Sequence, residues 1–419
     1  MRTAAPFAGP VGMLQPRRGN FFGDPMASVF VPQANPRASY HAHKQAIDEA
    51  IARVLASGSY ILGEEAKNFE HEYARWVGTR RAVACASGTD AIALILRGLN
   101  IGANSTVVTV SHTAVATVAA VQMAGATPLL LDIESATYTM SPDELASVLA
   151  QPPRHLPEIR AVLAVHLYGQ ACDLTRILSI CNAHGVSLIE DCAQAHGASF
   201  DGQKLGTFGR AAAFSFYPTK NLGALGDAGA VTTNDDQLAD RIALLRQYGW
   251  RDRYVSAEPG VNSRLDELQA GVLRAKLPHV NDDNRRRQAI AAVYDAALES
   301  GTILRPVRRQ GAVHVFHQYV VRVPERDLIQ AWLQERGIAS GIHYPVPVHQ
   351  QPAFRESMHL GPLQCRETEQ VCRNILSIPI YPELTDDQTA LVSKVLRDLV
   401  SRSTRAQMHG VARAAGGPL

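Results

Sequence analysis

The sequence lacks a long apolar run, a secretory signal and an excess of charge of one sign. No uninterrupted apolar stretch reaches the length that a membrane-spanning helix needs. Lys and Arg (41) nearly balance Asp and Glu (39), so the formal net charge of +2 does not favour nucleic acid or an anionic membrane as the main partner. Arginines stand at positions 2, 17 and 18, but glycine and proline interrupt the region where a signal peptide would be apolar. We therefore expect a soluble, cytoplasmic protein.

Cysteine is scarce and follows no motif. The six cysteines form no CxxC pair and show none of the spacings that are typical of metal ligands. A reducing compartment is therefore favoured, and no metal site is expected. The cysteines stand at positions 85, 172, 181, 192, 365 and 372.

What the sequence does have is a regular alternation that begins at Arg81. Short β-branched or apolar runs alternate with helical patterns such as DAIALILRGL and DLTRILSICNAHG. This alternation predicts an α/β fold with a mostly parallel sheet covered by helices. In such sheets, binding sites form beyond the carboxyl ends of the strands. The strand-like runs are RAVACA, TVVTVS, TPLLLDI, RAVLAVHLYG, VSLIEDC, AAAFSFY and GAVTTN.

The length of 419 residues suggests two or three structural units. The alternation ends after Leu277-Pro278, so we predict a large α/β domain over residues 28–277 and a smaller α+β domain over 278–400. In the smaller domain, HVFHQYVVRV is typical of a strand and DLIQAWLQERG of a helix. Residues 1–27 and 401–419 are rich in small residues without periodicity, so both ends are expected to be disordered.

One lysine follows a strand on a rigid bend. In FSFYPTKNLGALGDAGAV, residues 214–231, an apolar run stops at Pro218, presents Lys220 and passes into a glycine-rich segment. A lysine held in an interior site loses solvent, which lowers its pKa and makes the amine a nucleophile. The alternative is an exposed lysine after an ordinary strand and turn, and this segment alone does not decide between the two.

A candidate anion site lies at another strand end. RAVACA is followed by Ser87-Gly88-Thr89, which opens the next helix, and the free N–H groups of a helix start suit a phosphate. A plain helix cap by Ser87 or Thr89 is the alternative. The GK[ST] of a nucleotide-hydrolysing loop is absent, and Gly223, Gly226 and Gly229 do not follow the GxGxxG spacing of a dinucleotide-binding fold.

A carboxylate follows a third strand. VSLIE ends in Asp191, and a carboxylate at the mouth of a buried strand is costly unless it is paired or hydrogen-bonded. A pyridinium nitrogen would be such a partner, although Asp191 could also cap the following helix. Ser215, inside an apolar run, is either a second phosphate ligand or a core serine. Together, the cradle, the carboxylate and the lysine match what pyridoxal 5′-phosphate (PLP) needs.

Four segments then resemble one family. SGTDA, EDCAQAHGA, FSFYPTKNLGALGDAGA and VNSRLDELQAGVLRAKL are similar to the DegT/DnrJ sugar aminotransferases, which are fold-type I PLP enzymes. The resemblance extends from about Val31 to about Val400. It implies a Schiff-base lysine, a partner of the ring nitrogen, a contact to the phenolic oxygen and three phosphate ligands. These residues are Lys220, Asp191, Gln194 and the set Gly88, Thr89 and Ser215, respectively.

The resemblance also implies a homodimer with shared active sites. Asn262, in VNSRLDE, would reach the phosphate of the neighbouring subunit's cofactor. His343 and Tyr344, in GIHYPVPVHQQPAF, correspond to a substrate-side loop and are candidates for sugar or nucleotide contacts, although they could equally be surface loop residues. Many relatives place an aromatic residue over the ring where this chain has Ala114. His112 could cover the ring instead, a residue elsewhere could do so, or that face is less enclosed.

The activity implied is transfer of an amino group from an amino acid, L-glutamate, to a nucleotide-linked keto sugar. The KNLGALGDAG and HTAVAT segments resemble relatives that aminate carbon 3 of a dTDP-linked 3-keto-6-deoxyhexose. Amination at carbon 4, or of a keto-cyclitol, is the alternative. A sugar dehydratase is disfavoured because that branch of the family replaces the lysine with histidine. A regulatory protein that kept the fold and lost catalysis is the remaining possibility.

Overall fold

The computed structural model of the protein describes residues 30–299 and 303–415. The N-terminal extension predicted over residues 1–27 lies outside the described residues. The helices are α1 Pro36–Ala42, α2 Lys44–Ser57, α3 Glu64–Val77, α4 Gly88–Gly98, α5 Val115–Met123, α6 Pro142–Ala150, α7 Leu174–Ala183, α8 Asp236–Leu245, α9 Glu267–Lys276, α10 Val280–Ala297, α11 Arg326–Gln334, α12 Arg366–Asn374 and α13 Asp386–Ala415.

The strands are short, and most of them belong to one sheet. They are β1 Arg81–Cys85, β2 Ser105–Val110, β3 Thr127–Leu131, β4 Glu158–Val165, β5 Ser187–Asp191, β6 Ser199–Phe200, β7 Gln203–Lys204, β8 Ala211–Ser215, β9 Gly229–Thr233, β10 Trp250–Asp252, β11 Val255–Ser256, β12 Ala312–Val313, β13 Tyr319–Arg322, β14 His359–Leu360 and β15 Ile375–Ile378. Each of the seven strand-like runs of the sequence contains a strand of this sheet.

The main sheet has eight strands in the order β1-β9-β8-β5-β4-β2-β3-β14. All neighbouring pairs are parallel except those of β9, which runs antiparallel to both β1 and β8. Every residue of β2 and of β9 is buried, as expected for strands that are covered by helices on both faces. The predicted fold class, a mostly parallel sheet enclosed by helices in a fold-type I arrangement, is confirmed.

An aromatic cluster fixes the strand that leads to Lys220. Tyr73, on α3, packs edge-on against Phe214 and Phe216 with ring centroids 5.3 and 5.1 Å apart. Phe69, one turn earlier on α3, packs edge-on against Phe216 as well. The helical spacing of these aromatics therefore serves core packing, and it holds β8 and the following residues against α3.

A second hydrophobic core lies in the C-terminal part of the chain. It contains the antiparallel pair β13-β15 and residues of α10, α11 and α13. Val31 belongs to this core and bonds to the backbone of Gly337 and Ala339, while β14 extends the main sheet. Two segments thus cross the predicted boundary at residue 277, which stays a prediction.

The C-terminal helix extends further than the sequence analysis expects. A disordered tail is predicted from residue 401, whereas α13 runs through Ala415. Alanine and arginine recur between residues 401 and 415 and are among the best helix formers, which offsets the absence of apolar periodicity. No helix among the described residues is long and apolar enough to cross a membrane.

Candidate active site

A cavity of about 370 Å³ lies beyond the carboxyl ends of the parallel strands. We refer to it as the main cavity. It brings together eight of the nine residues that the sequence analysis selects: Gly88, Thr89, Asp191, Gln194, Ser215, Lys220, His343 and Tyr344. The ninth, Asn262, is exposed and does not line it. The rule that sites form at strand ends therefore located the cavity correctly.

Lys220 stands on a turn that is held at several points. Its backbone N–H donates to the carbonyl of Tyr217 over 2.8 Å, and the N–H of Ala224 closes the turn on Phe216. A Cβ on Gly223 would stand 2.5 Å from the carbonyl oxygen of Pro218, so only glycine lets the chain pass there. The buried Lys276 ammonium donates to the Gly223 carbonyl over 2.7 Å. These contacts fix the backbone from which the lysine extends.

The environment of Lys220 favours a neutral amine. Loss of solvent lowers its pKa from 10.5 to about 8, and the negative charge of Asp191 opposes only part of that shift. An amine with a pKa of about 8 is unprotonated in about one tenth of molecules at pH 7, whereas a surface lysine is almost fully charged. Lys220 is therefore suited to act as a nucleophile and as a carrier of protons.

Asp191 ends β5 and is held by two donors. The hydroxyl of Thr117, on α5, donates to Asp191 Oδ2 over 2.9 Å, and the N–H of Ala193 donates to Oδ1 over 3.1 Å. Burial raises the pKa of Asp191, and these two hydrogen bonds and the charge of Lys220 partly oppose the rise. A positively charged partner in the main cavity would stabilise the ionised form of this carboxylate further.

The start of α4 has the free N–H groups that the predicted anion cradle requires. Ser87 caps the helix, with its hydroxyl accepting the Asp90 N–H over 3.1 Å, which leaves the N–H groups of Gly88 and Thr89 at the open end. A Cβ on Gly88 would stand 2.7 Å from Ser215 Cβ, and one on Gly229 would stand 2.3 Å from the Ser87 carbonyl. The two glycines thus let α4, β8 and β9 meet closely around this point.

The Gln194 amide is oriented by its neighbours. Its Oε1 accepts the backbone N–H of Tyr168 over 2.7 Å, so its Nε2 faces the main cavity and donates to the Tyr344 hydroxyl over 3.1 Å. One N–H of Nε2 remains for another acceptor. A phenolate oxygen of a bound pyridoxal ring would be such an acceptor.

The loop with His343 and Tyr344 is hydrogen-bonded both to β15 and to the segment that follows β4. His343 Nδ1 bonds to the Ser377 hydroxyl over 2.8 Å, and its backbone carbonyl accepts the hydroxyl of Tyr168. Burial and the charge of Lys220 lower the pKa of His343 to about 4, so the ring is neutral. Both side chains are half-buried in the cavity wall, which favours the substrate-side interpretation over that of free surface residues.

His112 does not cover the cavity, in contrast to one possibility raised above. Its ring is buried, with Nε2 2.9 Å from the Tyr168 hydroxyl and Nδ1 3.3 Å from Cys372 Sγ. The side chain is therefore turned into the protein, toward α12. Ala114 does line the main cavity, beside Thr113 and Ala116, so this face is built from small side chains.

Asn262 lies at the surface. It pairs through its backbone with Gln247, close to the exposed hairpin β10-β11. In this position it does not reach the main cavity of its own chain. The role that the resemblance implies, in a neighbouring subunit, stays a prediction.

Sequence reasoning missed Thr117, Tyr168 and His317. Thr113 and Thr117 are four residues apart, and their hydroxyls lie 2.7 Å from each other. The spacing TxxxT, which in a helix places both side chains on one face, was therefore the available signal for Thr117. His317 comes from the C-terminal part of the chain, and Tyr168 acts through contacts with residues more than 20 positions away. The sequence carries no local signal for such long-range contacts.

A cluster of possible metal ligands adjoins the main cavity, which one of its members, His166, lines. His166, Glu190 and Cys192 are the one such group among the described residues. The Glu190 carboxylate already accepts the N–H groups of Gly206, Phe208 and Gly209 at 2.8 to 2.9 Å and contacts His166 Nε2 at 3.1 Å. Its lone pairs are thus used within the protein, and the cluster is an internal anchor of β5 rather than an open metal site.

The donor set as a whole fits pyridoxal phosphate. It offers N–H donors at a helix start, a buried carboxylate that forms no ion pair with the residues that the structure describes, an amide donor and a half-buried lysine. The crowding that a Cβ on Gly88 or Gly229 would cause shows that the backbone is shaped closely around the cradle.

Comparisons with known proteins agree with this geometry. A model of the DegT/DnrJ/EryC1/StrS aminotransferase family matches residues 41–397. A dTDP-3-amino-3,4,6-trideoxy-alpha-D-glucose transaminase of Streptomyces venezuelae is 42% identical over 378 residues, 90% of this chain and 98% of the relative. A protein of Geobacillus stearothermophilus named pleiotropic regulatory protein is 37% identical over 365 residues, 86% and 96% of the two chains.

A solved structure is similar over the same range. The crystal structure of S. venezuelae DesV in complex with a ketimine intermediate superposes with a TM-score of 0.84 at 42% identity, covering 88% of this chain and 98% of the other. The resemblance that the sequence motifs suggested is thereby confirmed. The chain belongs to the DegT/DnrJ/EryC1/StrS aminotransferase family.

Proposed function

We propose that this protein is a PLP-dependent aminotransferase that acts on carbon 3 of a nucleotide-linked keto sugar. The substrate is a dTDP-linked 3-keto-6-deoxyhexose, and the amino donor is an amino acid, L-glutamate. The observation that carries the proposal is the convergence of Lys220, Asp191 and the Ser87-Gly88-Thr89 cradle on one cavity from three different strand ends. The protein works in the cytoplasm, which agrees with its six unpaired, buried cysteines.

The main cavity would hold the cofactor at its phosphate and at its ring. The N–H groups at the start of α4, with Ser215, would bind the phosphate, and Asp191 would bind the ring nitrogen. Gln194 would donate to the phenolic oxygen. When bound, PLP supplies an aldehyde that accepts an amino group and a ring that withdraws electrons. With PLP bound, Asp191 would keep the ring nitrogen protonated, and the hydrogen bond from Thr117 favours the ionised form of Asp191 and orients it.

Lys220 then acts as both nucleophile and base. The lowered pKa of about 8 leaves part of the Lys220 amine without its proton near neutral pH, and this neutral amine is the form that could bond to the aldehyde that PLP would supply. Once released, the same amine, which lines the main cavity, could accept and return the proton that amino transfer moves. A positioned proton transfer of this kind contributes roughly 10² to 10⁴ in rate.

The preference for carbon 3 and for dTDP rests on the relatives. The S. venezuelae transaminase that is 42% identical is named for a dTDP-3-amino sugar, and it matches nearly the full length of both chains. His343 and Tyr344 face the remaining space of the cavity, where the sugar would lie. The alternative substrates, a carbon-4 keto sugar or a keto-cyclitol, would contact the same cavity residues, so the product assay below has to separate them.

The proposed assembly is a homodimer with shared sites. Asn262 is exposed beside a hairpin that carries the exposed side chains Tyr254 and Val255. The Asn262 side chain is exposed and does not line the main cavity of its own chain, which supports contact with the cofactor phosphate of a neighbouring subunit. A fully active monomer in solution would contradict this part of the proposal.

The direct test is a product assay. Purified protein with PLP and L-glutamate is incubated with dTDP-linked 3-keto and 4-keto 6-deoxyhexoses in parallel, and products are identified by mass and by NMR assignment of the aminated carbon. We expect a 3-amino sugar and 2-oxoglutarate in equal amounts. Amination of the 4-keto substrate alone would assign the enzyme to the alternative class.

A regulatory role without catalysis is the second candidate. It is favoured by the name of the G. stearothermophilus relative, which is 37% identical. The product assay distinguishes an aminotransferase from a regulatory protein, because only the aminotransferase transfers an amino group. A protein that binds PLP but leaves every keto sugar unchanged would support the regulatory candidate.

A further inference from the structure

A second, smaller cavity adjoins the main cavity at Lys220, and we refer to it as the small cavity. Its volume is about 30 Å³, which leaves room for about two water molecules. Thr219, Lys220, His317 and Gln318 line both cavities. The rest of its wall comes from Pro218 and Asn221 beside Lys220, from the segment before α1 and α1 itself, from α10 and from residues 380–383. Lys220 and His317 therefore stand between two separate spaces.

Three buried polar atoms belong to residues of this wall. Asn221 Oδ1, Arg287 Nε and His317 Nδ1 have no hydrogen-bond partner within the described part of the protein. Other atoms of the first two side chains are committed: Asn221 Nδ2 donates to Asn284 over 2.8 Å, and Arg287 Nη1 donates to the Ile380 carbonyl over 2.7 Å. Asn221 and Arg287 line the small cavity and not the main cavity, so the small cavity is the space that offers these two side chains a further partner, whereas His317 lines both cavities.

The chemistry of the wall selects water as that partner. Asp283, Glu383 and Arg287 line the small cavity, so both signs of charge face it. A buried space that is polar, large enough for water and able to offer several hydrogen bonds is the type that holds ordered water. An apolar ligand would leave these groups without partners.

His317 is suited to pass a proton. It is only 5% exposed, and burial together with the charges of Lys220 and Arg287 holds its pKa well below the usual value. The ring is therefore neutral, with a proton on one nitrogen and a lone pair on the other. When cofactor and substrate fill the main cavity, the small cavity is the polar space that still touches Lys220.

We propose that the small cavity holds ordered water and that this water, with His317, carries protons between the Lys220 amine and the solvent. The proton that leaves Lys220 Nζ joins a water molecule or the free nitrogen of His317. At the far end of this hydrogen-bonded path, one water molecule releases a proton to the solvent. Only N–H and O–H bonds change, and the return path is the reverse. The inference rests on the proposed function, because it assigns the route to the lysine of that reaction.

The test uses the PLP-loaded protein and two independent ways to block the route. His317→Leu removes the polar ring, and Ala34→Leu fills the small cavity from the segment before α1. His317→Asn keeps a polar atom near the position of Nδ1. Ala38→Leu is the matched control, since Ala38 is partly buried as Ala34 is but does not line the small cavity. The half-reaction with L-glutamate is followed by stopped-flow absorbance in H₂O and D₂O, and a high-resolution crystal structure locates the waters.

We expect water density against Asn221, Arg287 and His317 in the wild type. His317→Leu and Ala34→Leu should slow the half-reaction by at least about tenfold, the low side of what a positioned proton transfer contributes. Their solvent isotope effect should rise while their PLP affinity stays unchanged. Ala38→Leu should remain close to the wild type, and His317→Asn, which keeps a polar atom for the water but no ring nitrogen that accepts a proton, should lie between the wild type and His317→Leu. If His317→Leu does not fold, Ala34→Leu decides.

Two results would overturn the inference: a dry small cavity, or wild-type rates and isotope effects in both blocking variants. Failure of the proposed function looks different. In that case the wild-type protein itself shows no amino transfer with any keto sugar, whatever the waters do.

Discussion

The Thr117 hydroxyl donates a hydrogen bond to Asp191 Oδ2 over 2.9 Å and accepts one from Thr113, whose hydroxyl oxygen lies 2.7 Å away. α5 thereby holds the carboxylate at the end of β5 in one orientation. The position and charge of Asp191 depend on these hydrogen bonds as well as on the strand.

Thr117→Val should weaken cofactor binding without unfolding the protein. It removes the hydroxyl that favours the ionised form of Asp191, and a hydrogen bond to a charged group contributes about 1.5–3 kcal/mol. We expect the Kd for PLP, measured by fluorescence titration, to rise by roughly tenfold or more. Thr109→Val is the control, because Thr109 is equally buried and its hydroxyl bonds to the Leu163 carbonyl, outside the cavity lining. Equal affinities in the two variants would contradict this role for Thr117.

Tyr168→Phe should affect the sugar substrate more than the cofactor. The lost hydroxyl bonds to the His343 carbonyl and to His112, whereas the Tyr168 N–H that orients Gln194 is retained. Since a neutral hydrogen bond contributes about 1 kcal/mol, we expect KM for the nucleotide sugar to rise by about fivefold to tenfold. The PLP affinity should stay unchanged. In the control Tyr73→Phe, the buried hydroxyl has no partner among the described residues, so its removal should change neither quantity.

The capture of PLP by the cofactor-free protein should depend on pH through Lys220. Because burial lowers the pKa of this amine to about 8, the reactive neutral form is lost as the pH falls below about 8 and is fully present well above it. The capture rate, followed by rapid-mixing absorbance, should rise with pH around a midpoint near 8 and then level off. Asp191→Asn should move the midpoint lower, because the Asp191 charge raises the Lys220 pKa. A midpoint near that of a free lysine would show that Lys220 is not desolvated.

Gly229→Ala should disrupt the anion cradle. The new Cβ would stand 2.3 Å from the Ser87 carbonyl carbon and oxygen, so the start of α4 would have to shift. We expect a large loss of affinity for PLP and for inorganic phosphate, measured by calorimetry. Gly271→Ala on α9 is the matched control, because its Cβ would meet Ala50 and Val54 at ordinary distances of 3.5 and 3.6 Å. That variant should stabilise the protein by roughly 0.5–1 kcal/mol and leave phosphate affinity unchanged. Normal affinity in Gly229→Ala would exclude the cradle as the phosphate site.

The sequence predicted the parts of the site that follow directly from strand ends. Lys220, Asp191 and Gly88 each come just after an apolar run, and a parallel sheet brings such positions to one edge. Tyr168, Thr117 and His317 were missed because their roles arise from packing between elements far apart in the chain. His112 was misjudged for the same reason. His112 follows the carboxyl end of β2, a position from which a side chain can reach the cavity, but its ring bonds to Cys372, 260 positions away on α12.

The most direct test of the central claim is to trap the cofactor on its lysine. The PLP-loaded protein is reduced with borohydride, digested and mapped by mass spectrometry, with Lys220→Ala treated in parallel. The structure predicts one pyridoxyl phosphate group per chain, attached to Lys220, and none on the variant. Attachment to a different lysine, or equal labelling of wild type and variant, would contradict the assignment of Lys220 as the catalytic lysine.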